Sequence, residues 1–127
     1  MEGIKAGNAI ADGAARRGWY VGRFIDEDPF RQTHDVEVKW GIHARGDTNR
    51  TYAADLVARS MSVLIRGRFR LTFRRGGRTE SVLLEREGDY AVWLPGVEHT
   101  WVAEAEEGSV VLTVRWPSLP VMQTEAE

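Results

Sequence analysis

Glycine and proline residues divide this chain into short runs, and the spacing of these residues limits its fold more than any other feature. Turn-forming pairs occur at Gly46-Asp47, Gly76-Gly77, Gly88-Asp89 and Pro95-Gly96, where they favour tight reversals of the backbone. The intervening runs are rich in β-branched and aromatic residues, which is typical of strands. Strands are predicted over residues 19–25, 36–43, 61–66, 69–74, 81–85, 91–94, 100–103 and 110–116. We therefore expect an all-β sandwich or barrel.

The length of 127 residues corresponds to one domain, with no internal repeat or linker to divide it. Residues 1–17 contain alanine, glycine and asparagine without a clear helical period, which predicts an N-terminal arm or a short frayed helix. Residues 18–117 form the predicted domain. Residues 118–127 end in Thr-Glu-Ala-Glu and are predicted to be a C-terminal tail.

The composition excludes several classes of site. The chain has no cysteine, so a disulfide scaffold, a thiolate metal site and a cysteine nucleophile are excluded. Its net charge of −2 is too balanced to predict a nucleic acid or a membrane surface as partner. No secretory signal is recognised at the N-terminus, and a cytoplasmic location is expected.

Charge alternates with apolar residues along the run 68–74. Arginines at 68, 70 and 74 share one face of the predicted strand, while Phe69, Leu71 and Phe73 share the other. Acidic residues are concentrated in the segment 85–107. We expect them to pair with the arginines across strands or across a subunit interface, and the separated aromatic face argues against nucleic-acid binding.

A second pattern joins Gly88, a strand-like run, the Pro95-Gly96 turn and His99. It resembles the second sequence motif of the cupin superfamily, with Leu94 in place of the usual first proline. The resemblance implies a double-stranded β-helix, or jelly-roll barrel, with His99 at its mouth. It also implies a homodimer, and the strand predicted over 19–25 is a candidate to add to a neighbour's sheet.

The first cupin motif is matched only at its terminal glycine, Gly67. The customary glutamate position falls on Ser60, the paired histidines near residues 53–56 are missing, and Ala103 occupies the final asparagine position. Only one of four customary metal ligands remains, His99. No cofactor is favoured; the alternative is a divalent metal (Fe, Mn, Ni or Zn) held by His99 and His43 with one carboxylate.

Three functions follow as hypotheses. The first is a cupin that binds a small anionic or aromatic metabolite in its barrel, with His99 as a proton carrier for acid–base catalysis. The second is a metal-dependent oxygenase or isomerase. The third is a non-catalytic interaction or regulatory module that uses the arginine face.

The predicted ligand-binding residues are those expected on inward-facing strand positions. They are Glu37, Lys39, His43, Tyr52, Ser60, Ser62, Trp93, Trp101 and Arg115. Arg115 and Lys39 are candidates to hold an anionic group; an ion pair with Glu37 is an equally supported alternative. Trp40 and Trp116 are predicted to fill the core, and His34 to lie at the surface.

Overall fold

The structure is a computed structural model that describes residues 1–120 and 123–126. One short helix, α1 (Ala9–Gly13), continues into a 3-10 helix (Ala14–Arg16). The strands are β1 (Trp19–Val21), β2 (Glu37–His43), β3 (Tyr52–Asp55), β4 (Arg59–Arg66), β5 (Phe69–Arg75), β6 (Arg78–Leu84), β7 (Tyr90–Trp93), β8 (Glu98–Ala103), β9 (Ser109–Trp116) and β10 (Gln123–Ala126). Neither helix in this described part is long or apolar enough to cross a bilayer.

The strands form two five-stranded sheets, in the orders β1-β2-β9-β4-β7 and β10-β3-β8-β5-β6. Neighbouring strands in both sheets run antiparallel. Their inward faces enclose a core of Leu64, Phe69, Leu71, Leu84, Trp93, Ala103 and Val111. The predicted all-β, two-sheet architecture is confirmed.

Each of the eight predicted runs contains an observed strand, but two strands were missed. β3 contains two alanines, which carry little strand signal. β10 lies in the segment predicted as a tail, and it pairs antiparallel with β3 from Gln123↔Asp55 to Ala126↔Tyr52. Residues 123–126 of the predicted tail thus form a strand, and residues 121, 122 and 127 of it lie outside the described residues. β1 is also shorter than predicted; it pairs with β2 of its own chain and forms an edge of the first sheet.

The prediction that Trp40 and Trp116 fill the core is wrong. Both are only partly buried and lie on the outer face of the first sheet. Strand alternation is the reason, because their neighbours Lys39 and Arg115 face the barrel interior.

The arginine face of β5 is paired within the chain. Arg70 Nε lies 2.7 Å from Glu104 Oε2, and Arg74 Nη2 lies 2.9 Å from Glu98 Oε2. Arg68 contacts Glu85 and Glu104 at 3.2 and 3.3 Å. The prediction of cross-strand pairing is confirmed, and these arginines are not an unpaired basic surface.

Gly67, the glycine that matches the first cupin motif, lies in a turn that no side chain fits. Its φ is 103°, and a Cβ there would lie 2.6 Å from Ser109 Cα and 2.7 Å from the Gly108 carbonyl oxygen. We expect Gly67→Ala to lower the free energy of unfolding by about 3 kcal/mol, since backbone strain and a backbone clash add.

Urea denaturation checks this prediction, with Gly76→Ala as the matched control. Gly76 also has a positive φ (57°) but has open space around its Cβ position, so a loss of only about 1 kcal/mol is expected. Equal losses in the two variants would contradict the role assigned to close packing at Gly67.

Candidate functional site

A cavity of about 770 Å³ lies beside β2, where it is lined by residues from both faces of that strand. It continues inward to a small space of about 50 Å³. The cavity is lined by Ile10, Ala14, Arg17, Gly18, Trp19, Lys39, Trp40, Ile42, His43, Thr48, Asn49, Thr51, Ala53, His99, Trp101 and Arg115. Ser62, Phe69, Leu71, Trp93 and Thr113 line only the inner part. Both sheets and the N-terminal segment thus contribute to one site.

Strand register divides the interior of the first sheet into a polar and an apolar part. Glu37 pairs with Arg115, which in turn pairs with Ser60. One row further along, Lys39 pairs with Thr113. The next row, Gly41 and its neighbours, is apolar. The polar rows therefore lie at the cavity, while the apolar row continues into the core.

The motif glycines explain how His99 is positioned. Gly88 and Gly96 have φ values of 91° and 86°, which a glycine adopts without steric cost. The Gly96 amide donates a hydrogen bond to the Asp55 carbonyl at 2.8 Å. The turn is thereby fastened to the end of β3, and β8 begins at Glu98 with His99 opposite Ala53.

His99 is held as a neutral imidazole. Its Nδ1–H donates to the Ala53 carbonyl oxygen at 3.0 Å, and its ring centroid lies 4.8 Å from that of Trp93. Burial, together with the charge of Arg115, lowers the pKa of His99 to about 4. Because Nδ1 carries the proton in this arrangement, Nε2 is left as a hydrogen-bond acceptor.

His43 lies against Gly41 and an aromatic wall. A Cβ at Gly41 would come within 2.8 Å of His43 Nε2, so the glycine makes room for the ring. The imidazole lies 4.4 Å from the Trp101 ring and 5.5 Å from Phe69, centroid to centroid. Burial, and secondarily the charge of Lys39, lowers the pKa of His43 to about 4.

Two of the cationic side chains that line this cavity, Arg115 and Lys39, differ in whether they are paired with a carboxylate. Arg115 Nη1 lies 3.3 Å from Glu37 Oε1, and its guanidinium lies 4.7 Å from the Trp19 ring centroid. Lys39 Nζ also lies near that ring, at 5.9 Å, and no carboxylate of the described residues forms a salt bridge with it. Burial lowers the pKa of Lys39, with smaller contributions from Arg115 and Arg17.

Most of the predicted site residues line this cavity. His43, Lys39, His99, Trp101 and Arg115 line its main part, and Ser62 and Trp93 its inner end. The structure shows only where these residues lie, and ligand binding by them stays a prediction. His34 is exposed, as predicted.

Three predicted residues lie elsewhere. Glu37 is on the far side of Arg115, where the ion pair and a hydrogen bond from Ser118 Oγ use its oxygens. Ser60 is buried beside Trp93 in the wall. Tyr52 lies outside the barrel under the Arg74 guanidinium, 3.9 Å from it, because strand alternation turns its neighbour Ala53 inward.

Sequence reasoning missed Trp19, Arg17 and Asn49. Trp19 was assigned to a strand but not to the site, and Arg17 to the N-terminal arm. Asn49 Oδ1 accepts hydrogen bonds from Thr100 Oγ1 (2.5 Å) and Trp101 N (3.0 Å), which fixes the loop after β2 against β8. The sequence signal that could have identified Asn49 is its position as a polar loop residue after the Gly46-Asp47 turn.

This donor set does not fit a mononuclear metal centre. Within residues 1–120 and 123–126, no group of three His, Asp or Glu side chains is arranged to hold a metal ion. The lining residues named above include two imidazoles and three cations but no carboxylate. Divalent metal sites need anionic or neutral donors, and the nearby positive charges oppose a further cation.

No family model matches the chain, and no curated protein matches it. Solved structures do match. A Klebsiella pneumoniae protein of uncharacterised function with a double-stranded β-helix domain is 20% identical, with a TM-score of 0.63 over 75% of this chain and 73% of that one. Oxalate decarboxylase from Bacillus subtilis is 21% identical, with a TM-score of 0.59 over 67% of this chain. The 11S allergen of Cocos nucifera is 14% identical, with a TM-score of 0.60 over 71% of this chain.

These similarities define the fold. The chain has the cupin fold, a double-stranded β-helix of jelly-roll type, as the motif around Gly88 and His99 predicted. It spans 22% of the length of the oxalate decarboxylase chain and 24% of the allergen chain. The oxalate decarboxylase has Mn(II) centres, which is a property of that protein.

The two depressed histidine pKa values predict how stability depends on pH. The folded pKa of His99 is about 4, below the ordinary value of 6.5, so the unfolded chain binds more protons between these pH values. Stability should therefore be complete above pH 6.5 and fall as the pH drops toward 4. His99 alone corresponds to about 3 kcal/mol across this window.

Urea denaturation of the parent and of His99→Gln at several pH values between 4 and 7.5 measures this linkage. The variant should show a shallower decline, because one depressed titration is removed. His34→Gln, at an exposed histidine, should leave the slope unchanged. Parallel profiles for the parent and His99→Gln would contradict the buried, neutral state of His99.

Proposed function

We propose that this cupin-fold protein binds a small anionic molecule with a planar or aromatic part inside the barrel. The observation that carries the proposal is the charge of the cavity wall. Arg17, Lys39 and Arg115 line the cavity, and the described lining residues include no carboxylate. Among the described residues, no carboxylate pairs with Lys39, so an anionic ligand group would supply its counter-charge.

The size and lining of the cavity support a small organic ligand. About 770 Å³ is within the usual range for small-molecule sites, which bury most of their ligand against apolar walls. Trp19 and Trp101 provide flat aromatic surfaces for stacking. Thr48 and Thr51 add hydroxyl groups at the loop side of the cavity, where they are available to fix the orientation of a polar substituent.

His99 is proposed to act on the ligand as a hydrogen-bond acceptor through Nε2. With a pKa of about 4, the imidazole is neutral near pH 7 and a poor proton donor. The acid–base role proposed for it is therefore that of a weak base toward a ligand hydroxyl or C–H group rather than that of an acid. His43, neutral for the same reason, lies against Trp101 and completes this side of the wall.

Lys39→Gln tests the proposed binding mode. Calorimetry with benzoate, cinnamate and phenyl phosphate should find a saturable ligand in the parent, and Lys39→Gln should weaken its binding about tenfold or more, the cost of a lost charge-assisted hydrogen bond. Arg45→Gln is the control, because Arg45 pairs with Glu106 at an exposed position, and it should bind as the parent does.

Equal affinities for the parent and Lys39→Gln would overturn the proposal. Elemental mass spectrometry of the same samples addresses the metal-dependent alternative. Stoichiometric metal in the parent that is lost in His99→Ala would favour that alternative, whereas the donor set described above predicts none.

The outer face of the first sheet supports a homodimer, which we include in the proposal. Register aligns Val38, Val114, Met61 and Val92 in one row and Trp40, Leu112, Val63 and Tyr90 in the next. We call these eight residues the outer apolar face. Tyr90 is 64% exposed and Val92 47%, and contiguous exposed apolar surfaces of this kind mark interaction sites. A second copy presents the same uncharged surface, so a symmetric contact would bury both.

Val92→Glu should shift the sedimentation behaviour from dimer to monomer, because the contact would then bury an unpaired charge. Val57→Glu is the matched control, since Val57 is similarly exposed (42%) but lies in the turn before β4. A parent protein that sediments as a monomer at micromolar concentrations would refute the dimer.

A further inference from the structure

A second cavity lies on the other side of Trp19. Its volume is about 430 Å³, and it is separate from the inner barrel space. It is lined by Ala15, Arg16, Arg17, Trp19, Arg23, Phe24, Glu37 and Arg115. Four arginines thus face one space that contains a single lining carboxylate, a concentration of positive charge that the proposed barrel function does not use.

The arginines of this cavity differ in how well they are satisfied. Arg16 is fully paired, since its two Nη atoms lie 2.9 and 3.0 Å from the Glu27 oxygens. Arg17 forms no salt bridge or side-chain hydrogen bond with the described residues. The Nε of Arg23 is buried and has no hydrogen-bond partner in the described part of the chain. Leaving a charged donor buried and unpaired is costly.

The one carboxylate among the described lining residues pairs with neither Arg17 nor Arg23. Glu37 is 8% exposed. One of its oxygens accepts from Arg115 Nη1 at 3.3 Å, and the other accepts from Ser118 Oγ at 2.9 Å. The fully buried Ser118 also accepts a hydrogen bond from the Arg23 amide at 3.0 Å. Ser118 therefore fixes the Arg23 backbone beside Glu37, while the Arg23 guanidinium is left over.

Aromatic rings complete the walls. The Trp19 and Phe24 rings meet edge to face at 6.2 Å and 76°, and the Arg23 guanidinium lies 5.9 Å from the Phe24 ring centroid. The cavity therefore combines planar guanidinium donors with apolar walls formed by the two aromatic rings. Guanidinium groups bind carboxylates and phosphates through paired N–H donors.

From this geometry we propose a second ligand site, formed by Arg17, Arg23 and Arg115, that binds an oxyanion, namely the phosphate or carboxylate group of a small molecule. The anion accepts hydrogen bonds from the guanidinium groups of Arg23 and Arg17, which line the cavity beside Trp19. Arg17, Trp19 and Arg115 line both cavities. The site is distinct from the barrel site in its use of Arg23, and it does not depend on the function proposed for the barrel.

NMR titration with inorganic phosphate tests the proposal, at pH 7 and at ionic strength held constant with chloride. The side-chain Nε–Hε resonance of Arg23 should move along a saturable curve with a millimolar dissociation constant. Arg23→Gln and Arg17→Gln should each weaken phosphate binding about tenfold, and Arg23→Lys, which keeps the charge but loses the paired donors, should fall between. A parallel titration with acetate distinguishes a carboxylate site from a phosphate site.

Two control variants separate this site from its alternatives. Arg45→Gln removes an exposed arginine and should leave phosphate binding within twofold of the parent. Lys39→Gln should weaken ligand binding in the barrel about tenfold or more but leave phosphate binding within twofold, because Lys39 does not line the second cavity. Lys39→Gln therefore tests the barrel proposal and Arg23→Gln tests the second site, so the failure of one proposal is distinguishable from the failure of the other.

The proposal is overturned by a linear, unsaturated shift of Arg23, or by Arg23→Gln binding phosphate as tightly as the parent. The amide spectrum of each variant is compared with that of the parent to establish folding. If Arg23→Gln does not fold, Arg23→Lys decides, because Arg23 lines only the second cavity; phosphate binding as tight as in the parent would then overturn the proposal.

Discussion

The pairing of Arg115 with Glu37 is the interaction on which the polar interior depends. Arg115 projects inward from β9, a strand with neighbours on both sides, where an unpaired guanidinium would be costly. Glu37, directly opposite on β2, neutralises it without covering it. Arg115 is thereby left to contact Trp19, to line both cavities, and to lower the pKa values of His99 and Lys39.

The residues that stabilise the fold and those of the proposed ligand site lie at different ends of the same barrel. The apolar rows around Leu64, Leu71 and Val111 are almost fully buried and supply the hydrophobic contribution to folding. The polar rows of β2 and β9 begin one register step away. Alternation along a strand fixes which residues face inward. Val111 and Arg115 therefore share one face of β9, where Val111 lies in the core and Arg115 lines the cavity.

The sequence predicted the elements whose signal is local. The turn at Pro95-Gly96 and the alternation of β5 are each patterns of a few neighbouring residues, and His99 and the arginine face were placed correctly from them. Trp19 and Asn49 join the site through contacts with β2 and β8, which are distant from them along the chain. No local sequence pattern therefore indicates that these two residues belong to the site. Tyr52 was misplaced because β3 itself was missed, and the direction of a side chain cannot be assigned without its strand.

Charge distinguishes this barrel from a metal-binding one of the same fold. A divalent ion requires several anionic or neutral donors that converge on one point, and His99 and His43 are two neutral donors. Lys39 and Arg115, however, project from the adjacent strand positions. Two unit charges 4 Å apart repel by roughly 1 to 4 kcal/mol in surroundings between water and a protein surface, so each cation disfavours a metal and favours an anion. The cationic inward positions of β2 and β9 are therefore the feature of this barrel that favours the proposed anionic ligand over a metal ion.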